Sequence, residues 1–288
     1  MNRIGKIAYS VKIPSTEVLK KSWNAFAAEY SDQIEKHVVS NAIHLSKKHF
    51  PAYQLAGNES FLEVGCGSGL FAEYLLANYQ SQLNEIVLTD ISDQMIALTK
   101  GRIGRFLNNR VKVIIEDAEV LSSIPDNHYD IVMSHLILNV VSSPAKELNA
   151  VRRKMKDTAV FIVSVLGKAE NSSYFDIWES TLREHGVTEF KDFRSKHHLA
   201  DFENASHLFA SEKFDIKEFE VSKVELMPHN QMAKQIFSQP MSRAMVRQRD
   251  EATQKLILEN LEAKIAMQIQ LGKPLDIEIC NYVLTKAK

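Results

Sequence analysis

A glycine-rich segment early in the chain has the composition of a loop that holds a nucleotide-like cofactor. Mainly apolar residues 61–64 come first, and the glycines then stand at alternate positions: Gly65, Gly67 and Gly69. Such glycines permit a sharp turn and leave no Cβ in the way of a ligand. A helix predicted to begin near Ser68 would point its free N–H groups at the same place. The segment therefore predicts a cofactor site between a strand and a helix.

The spacing of the glycines separates two kinds of cofactor. A dinucleotide fingerprint would need glycine at position 70, where the chain has Leu70. The pattern acid-x-Gly-x-Gly-x-Gly, with Glu63 as the acid, instead resembles motif I of the class I S-adenosylmethionine-dependent methyltransferases. A purely structural turn would explain one or two of the glycines but hardly the whole pattern. The resemblance implies that S-adenosyl-L-methionine is bound by Glu63, Gly65, Cys66, Gly67 and Gly69.

Acidic residues also stand at the ends of the next two predicted strands. Asp90 ends the second strand, and the resemblance implies that it accepts hydrogen bonds from both ribose hydroxyls. Asp117 follows the third strand and would accept from the adenine amino group, while the Ala118 N–H faces the ring. Ile91 would pack on the adenine. The alternatives are an exposed strand end for Asp90 and a solvated acidic turn around Asp117, and NAD enzymes also place an acid where Asp90 stands.

The fourth predicted strand ends at Ser134 and His135. In the family, the backbone at this exit touches the methionine part of the cofactor and the next side chains face the substrate, so Ser134 is an implied cofactor contact. His135 is the candidate catalytic acid or base, because an imidazole with its ordinary pKa of about 6.5 can take a proton at neutral pH. The alternative is a histidine that begins a helix and moves no proton.

The segment from Trp23 to Tyr30 resembles the Phe-x-x-x-Ala-x-x-Tyr segment of ubiquinone/menaquinone-type and related small-molecule methyltransferases. In those enzymes it caps the cofactor pocket, which implies that Tyr30 closes over the methionine end. Aromatic residues at helical spacing can instead belong to a core. The resemblance is specific over about residues 23–166.

Strand and helix patterns alternate around these motifs, as they do in sheets with parallel strands and helical crossovers. With the resemblance, the expected fold is α/β: a Rossmann-like, doubly wound, seven-stranded, mostly parallel sheet with an antiparallel last strand. The expected organisation is a single methyltransferase domain over residues 1–288. It comprises a helical cap (15–50), a cofactor-binding core (58–166) and a helical insertion of two helices split around Pro240 (227–274). The predicted strands are 60–64, 85–89, 111–115, 129–133, 158–165, 214–221 and 277–284.

Composition narrows the class of protein. The 288 residues are 45% hydrophobic and carry a formal net charge of −1, so no nucleic-acid partner is expected. The two cysteines fit a reducing compartment, and no apolar run reaches the roughly 18–20 residues of a membrane span. The histidines show no metal-ligand spacing, so no metal is expected. A cytoplasmic location is expected. A short mitochondrial targeting segment is the alternative, because the N-terminus is basic with Arg3, Lys6 and Lys12.

The predicted function is methyl transfer from S-adenosylmethionine to a small-molecule acceptor by in-line displacement. The methylated atom (oxygen, carbon or nitrogen) and the oligomeric state are not predicted. One alternative is a catalytically silent methyltransferase-like assembly factor or partner-binding protein, and another is a protein-methylating enzyme. Bulky apolar residues after position 167 would either line an acceptor pocket or form the core of an added helical layer. They include Phe175, Trp178, Met232 and Phe237.

Overall fold

A seven-stranded sheet forms the centre of the computed structural model, which describes residues 15–33, 35–53, 55, 57–187 and 195–288. The order of strands in the sheet is β3-β2-β1-β4-β5-β7-β6, and β7 runs in the opposite direction to the other described strands. The predicted fold class is therefore confirmed. The strands are β1 (Ser60–Val64), β2 (Glu85–Asp90), β3 (Val111–Ile115), β4 (Tyr129–His135), β5 (Met155–Leu166), β6 (Phe214–Leu226) and β7 (Leu275–Lys286).

The helices of the described residues form layers on both faces of this sheet. They are α1 (Thr16–Gln33), α2 (Glu35–His49), α3 (Leu70–Tyr79), α4 (Asp93–Ile103), α5 (Pro144–Lys154), α6 (Ser173–Glu184), α7 (Phe202–Ser211), α8 (Met232–Ser238), α9 (Pro240–Val246) and α10 (Glu251–Leu271). Helices α2, α3 and α4 share one core cluster with Phe61 of β1, whereas α5 and α7 share another with Leu62. Successive side chains of a strand point to opposite faces, and these two clusters cover both faces of β1. β1 is therefore buried along its whole length.

Local sequence signals explain most element boundaries. Ser92 caps α4, since its side chain accepts a hydrogen bond from the Met95 N–H. Ser143 precedes α5, with Pro144 in the first turn, but its side chain makes no capping bond. Asp201 caps α7, since its side chain accepts hydrogen bonds from the Glu203 and Asn204 N–H groups.

The insertion between β6 and β7 contains three helices, so the prediction of two was wrong. Pro240 does separate the first two, because the residue before a proline is held out of the helical region and Gln239 is extended. The third begins at a separate signal: the Asp250 carboxylate accepts a hydrogen bond from the Thr253 N–H at 2.8 Å. A third core cluster joins α6, α8 and α10 to the ends of β6 and β7.

Two further expectations concern the basic N-terminus and the presence of membrane-spanning helices. The basic N-terminus with Arg3, Lys6 and Lys12 lies outside the described residues. In the part of the chain that the structure describes, none of the helices combines the length and apolar character that a membrane crossing requires.

Candidate functional site

A cleft opens at the carboxyl ends of β1, β2 and β4, where the order of the strands reverses. Ligands of open α/β sheets bind at such a switch point. The cleft has an empty volume of about 1030 Å³, including the part open to solvent. Helices α1 and α2 cover it with Trp23, Tyr30 and Val38, among others. The predicted cap segment therefore lies over the predicted cofactor loop.

The glycine loop between β1 and α3 requires glycine for steric reasons. The N–H groups of Gly65 and Cys66 both donate to the Thr89 carbonyl at 2.8 Å, which holds the loop against β2. Gly65 has a φ of +77°, and a Cβ there would lie 2.2 Å from the Ile137 side chain. Gly69 has a φ of +83°, and a Cβ there would lie 3.0 Å from the Thr99 Cα. A residue with a side chain would strain the loop at either position.

Two predicted cofactor ligands, Glu63 and Asp90, lie buried beside this loop. The Asp90 carboxylate accepts the Gly67 N–H at 3.0 Å and the Ser92 N–H at 2.9 Å. Burial nevertheless raises the pKa of Asp90 to about 6 and that of Glu63 to about 8. Glu63 is 3% exposed, and its Oε2 has no hydrogen-bond partner among the described residues. An unpartnered buried carboxylate oxygen is costly, so this atom marks a place for a ligand with N–H or O–H donors.

A third buried carboxylate, that of Glu35, was missed by the sequence reasoning. Glu35 begins α2, lines the cleft, and accepts hydrogen bonds from the Ser68 N–H at 3.1 Å and from the Ser68 hydroxyl. Burial raises its pKa to about 7, although the Ser68 hydrogen bonds oppose the shift. An acid at a helix start is ordinary, because it interacts favourably with the helix dipole. The sequence therefore carried no signal that Glu35 would reach the glycine loop.

The residues predicted at the adenine end also lie in the cleft. Ile91, Asp117 and Ala118 line it, and Glu116 and Glu119 lie beside them. Asp117 accepts the Glu119 N–H at 2.9 Å, as in a tight acidic turn, yet the residue is only partly exposed. The geometry brings these residues together with Asp90, as the prediction requires.

His135 lies in the cleft wall at the end of β4 and is held by an asparagine that the sequence did not single out. The Asn41 Nδ2 of α2 lies 3.2 Å from His135 Nε2 and also donates to Asn281 Oδ1 at 2.9 Å. The Ser222 hydroxyl donates to Asn41 Oδ1 at 2.6 Å. Because an amide N–H donates to Nε2, the neutral ring carries its proton on Nδ1. Burial lowers the pKa of His135 to about 4, so the ring is neutral at physiological pH.

Two predicted contacts, Gly69 and Ser134, stand next to the cleft and do not line it. Gly69 precedes α3, and the Ser134 hydroxyl donates to Glu147 Oε1 at 2.7 Å behind the strand. Cys66 does line the cleft, but burial raises the pKa of its thiol, so it is a poor nucleophile. Within the described ranges, no group of three His, Cys, Asp or Glu side chains could hold a metal ion.

The bulky apolar residues that follow β5 belong to a core. They share the cluster of the helical layer, and none of them is among the described residues lining the cleft. The geometry therefore supports the core interpretation for Phe175, Trp178, Met232 and Phe237.

The α1 cap is attached to α4 by one asparagine. Asn24 Oδ1 accepts from the Ser92 hydroxyl at 2.6 Å and from the Gln94 N–H at 3.4 Å. Lys20 adds an ion pair with Asp93 at 3.1 Å. Since Ser92 directly follows Asp90 and Ile91, this attachment joins the cap to the side of the cleft that those two residues line.

We expect Asn24→Ala to loosen α1 over the cleft. Losing these hydrogen bonds should cost about 1 kcal/mol of local stability, which is roughly fivefold in the opening equilibrium. Amide hydrogen exchange over residues 16–33 measures this. Lys21→Ala is the matched control, because among the described residues Lys21 pairs with Glu17 on the exposed face of the same helix. Equal exchange rates in both variants would show that Asn24 does not hold the cap.

Comparison with known proteins agrees with this geometry. Residues 62–163 match the methyltransferase domain family. Over these residues the chain is similar to a methyltransferase domain. The resemblance predicted from the glycine loop is thereby confirmed, whereas the cap segment around Trp23 and Tyr30 lies outside the matched residues.

Two curated relatives of this region are named for their activities. A malonyl-[acyl-carrier protein] O-methyltransferase of Ilyobacter polytropus is 27% identical over 51% of this chain and 50% of its own length. A ubiquinone/menaquinone biosynthesis C-methyltransferase of Azotobacter vinelandii is 24% identical over 58% of this chain and 67% of its own. The chain thus matches 50% of the length of the first of these relatives.

Solved structures similar to the methyltransferase domain support the fold. A Bacillus halodurans protein assigned to the methyltransferases superposes with a TM-score of 0.53 at 16% identity, over 82% of this chain and 97% of its own. A Galdieria sulphuraria protein assigned as a sarcosine dimethylglycine methyltransferase gives 0.53 at 14% identity, over 86% of each chain. At these identities the likeness concerns the fold alone.

Proposed function

We propose that residues 1–288 act as one methyltransferase domain that transfers a methyl group from S-adenosyl-L-methionine to a small-molecule acceptor. The observation that carries the proposal is the set of buried carboxylates of Glu35, Glu63 and Asp90 around the glycine loop. Burial raises the pKa of all three, so a positive charge bound beside them would stabilise their ionised forms. A cofactor with a sulfonium and an ammonium group would supply that charge.

The residues present fit this cofactor. Asp90 would hold the ribose, since each of its oxygens accepts one backbone N–H and retains a lone pair for a hydroxyl. Asp117 and Ala118 would hold the adenine. The unpartnered Oε2 of Glu63 would accept from the amino-acid end. When bound, the cofactor supplies an electrophilic methyl group.

This chain's contribution to the reaction is to position the acceptor and exclude water. The cleft wall beside His135 is apolar and consists of Leu136, Ile137, Val140 and Val141. An enclosed apolar wall orients the acceptor and raises the local strength of electrostatic interactions. The neutral His135 ring can donate a hydrogen bond from Nδ1, but with a pKa of about 4 it is a weak base.

The charge of the cleft favours an uncharged acceptor. Among the described lining residues, six carry carboxyl groups and none is a lysine or arginine. An anionic group such as the malonyl carboxylate named for one relative would meet this negative field. An apolar acceptor of the quinol kind, as the other relative's name implies, suits the aliphatic wall better.

The silent partner-binding alternative has a specific difficulty. Burying carboxylates without partners costs free energy, and a protein that binds no cofactor would gain nothing from it. Calorimetric titration with S-adenosylmethionine, S-adenosylhomocysteine and NAD tests the proposal. Micromolar binding of the two sulfur compounds and no binding of NAD is the expected result. Binding of neither sulfur compound would refute the proposal.

A screen for the acceptor would use radiolabelled S-adenosylmethionine with apolar quinols and a malonyl thioester. Transfer to the quinols alone is the expected result. Transfer to the malonyl thioester alone would refute the argument from charge.

We expect His135→Ala to leave the affinity for S-adenosylmethionine within about threefold and to lower the methyl-transfer rate by about 10- to 100-fold. The reason is that His135 lies on the acceptor side of the cleft and offers one hydrogen bond there. Because its pKa is about 4, the ring adds no pH dependence between about pH 6 and pH 8. Asn41→Ala should give a smaller loss in the same direction. If His135→Ala transfers methyl groups at the wild-type rate, His135 has a structural role and no catalytic one.

A further inference from the structure

Glu35 reaches the cofactor loop from the helical cap. Its side chain is buried, 7% exposed, at the first position of α2. A Cβ placed on Gly67 would lie 2.9 Å from Glu35 Oε1, so the carboxylate lies directly against the glycine loop. The Ser68 N–H and hydroxyl donate to its two oxygens and fix its orientation.

Glu63 supplies an independent indication that a ligand belongs beside Glu35. Its Oε2 has no hydrogen-bond partner among the described residues, although the side chain is 3% exposed and lines the same cleft. The two carboxylates repel each other, which is one reason that the pKa of Glu63 is raised. A positively charged donor between them would give the Glu63 oxygen a hydrogen-bond partner and would offset the repulsion between the two carboxylates.

The described residues that line the cleft include no lysine or arginine that could be this donor. Arg102 is close enough for its charge to oppose the raised pKa of Glu35, but its guanidinium contacts Ser68. Its Nε donates to the Ser68 carbonyl at 3.0 Å and its Nη2 to the Ser68 hydroxyl at 3.3 Å. Arg102 is not among the residues that line the cleft. The described acids, histidines and cysteines form no cluster for a metal ion, so an organic cation fits better.

We propose that Glu35 joins Glu63 in receiving the ammonium group of the cofactor's amino-acid part. The cap helix α2 then completes the cofactor site and selects a ligand with a cationic end. The inference rests on the proposed function, because S-adenosylmethionine is the cofactor that carries this group. It assigns Glu35 a binding role that no sequence motif predicted.

Paired titrations of Glu35→Gln test the inference. The probes are S-adenosylhomocysteine, which carries the ammonium group, and 5′-methylthioadenosine, which has the adenosine and sulfur but no amino-acid part. We expect the affinity for the first to fall by about 10- to 100-fold and that for the second by less than about threefold. Equal losses for both probes, or no loss for either, would overturn the inference.

Glu17→Gln is the matched control, because it makes the same change at an exposed carboxylate of the cap, one that pairs with Lys21. We expect the ratio of the two affinities to stay at its wild-type value in this variant. If Glu35→Gln does not fold, Glu35→Asp provides the same comparison, with a loss confined to S-adenosylhomocysteine as the supporting result. A wild-type protein that binds neither S-adenosylmethionine nor S-adenosylhomocysteine would overturn the proposed function instead.

Discussion

Replacing Asp90 by alanine is expected to weaken the binding of S-adenosylmethionine by about 1.5–3 kcal/mol, or roughly 10- to 150-fold. Asp90 ends β2 at the mouth of the cleft and is 9% exposed. Its carboxylate would accept both ribose hydroxyls, and hydrogen bonds to a charged acceptor are worth more than neutral ones. The same carboxylate orients the loop through the Gly67 N–H, which adds to the loss. Isothermal calorimetry measures the affinity directly.

Asp130→Ala separates loss of a ligand contact from loss of a backbone anchor. Asp130 also accepts a backbone N–H, that of Ser60 at 2.8 Å, but at the opposite end of the sheet. We expect this variant to lose stability and keep its cofactor affinity. If Asp90→Ala binds the cofactor as tightly as the wild type does, the ribose assignment fails.

Replacing Glu147 by glutamine is expected to change how stability depends on pH. Glu147 is fully buried in the first turn of α5, accepts from the Ser134 hydroxyl, and has no described partner for Oε2. Burial, and secondly the charges of Glu119 and Asp117, raise its pKa from 4.5 to about 8. The folded state therefore binds this proton more tightly than the unfolded state does. Stability from this group is fully present below pH 4.5 and is lost as the pH rises to about 8.

We expect the wild type and Glu147→Gln to have similar unfolding free energies near pH 5. Near pH 9 the variant should be more stable by several kcal/mol, on the order of 2–5. The glutamine keeps the oxygen that accepts from Ser134 and cannot ionise. Denaturant unfolding at the two pH values gives the difference. Glu259→Gln on the exposed face of α10 should leave the pH dependence unchanged. Parallel curves for the wild type and Glu147→Gln would contradict the assignment.

The sheet was predictable because each strand carries its own signal. The mainly apolar run at 60–64 coincides with β1, which is buried on both faces, and the Val- and Ile-rich run at 111–115 coincides with the partly exposed edge strand β3. The edge strand β6 runs five residues beyond its predicted end at Val221, to Leu226. Its exposed positions mix apolar Phe219 and Val221 with charged residues, and its length depends on pairing with β7, which no local pattern reveals.

The clustering of the proposed cofactor residues was predictable for a related reason. Its residues follow the ends of adjacent parallel strands, so a local motif implies a shared location. Glu35 and Asn41 were not predictable. Both come from α2, and their roles depend on how that helix packs over the loop and over β4. An acid and an amide on a helix have no spacing that would distinguish them from solvated residues.

The bond between Asn41 and Asn281 bears on how the protein acquires its activity. These two residues are 240 positions apart in sequence, and their amides meet at 2.9 Å beside His135. Contacts of such separation form late, since closing a long loop is entropically costly. During synthesis the glycine loop and Asp90 are present well before β7 exists. We therefore expect a nascent chain to acquire its cofactor-binding half first and its acceptor-facing half only when the last strand joins the sheet.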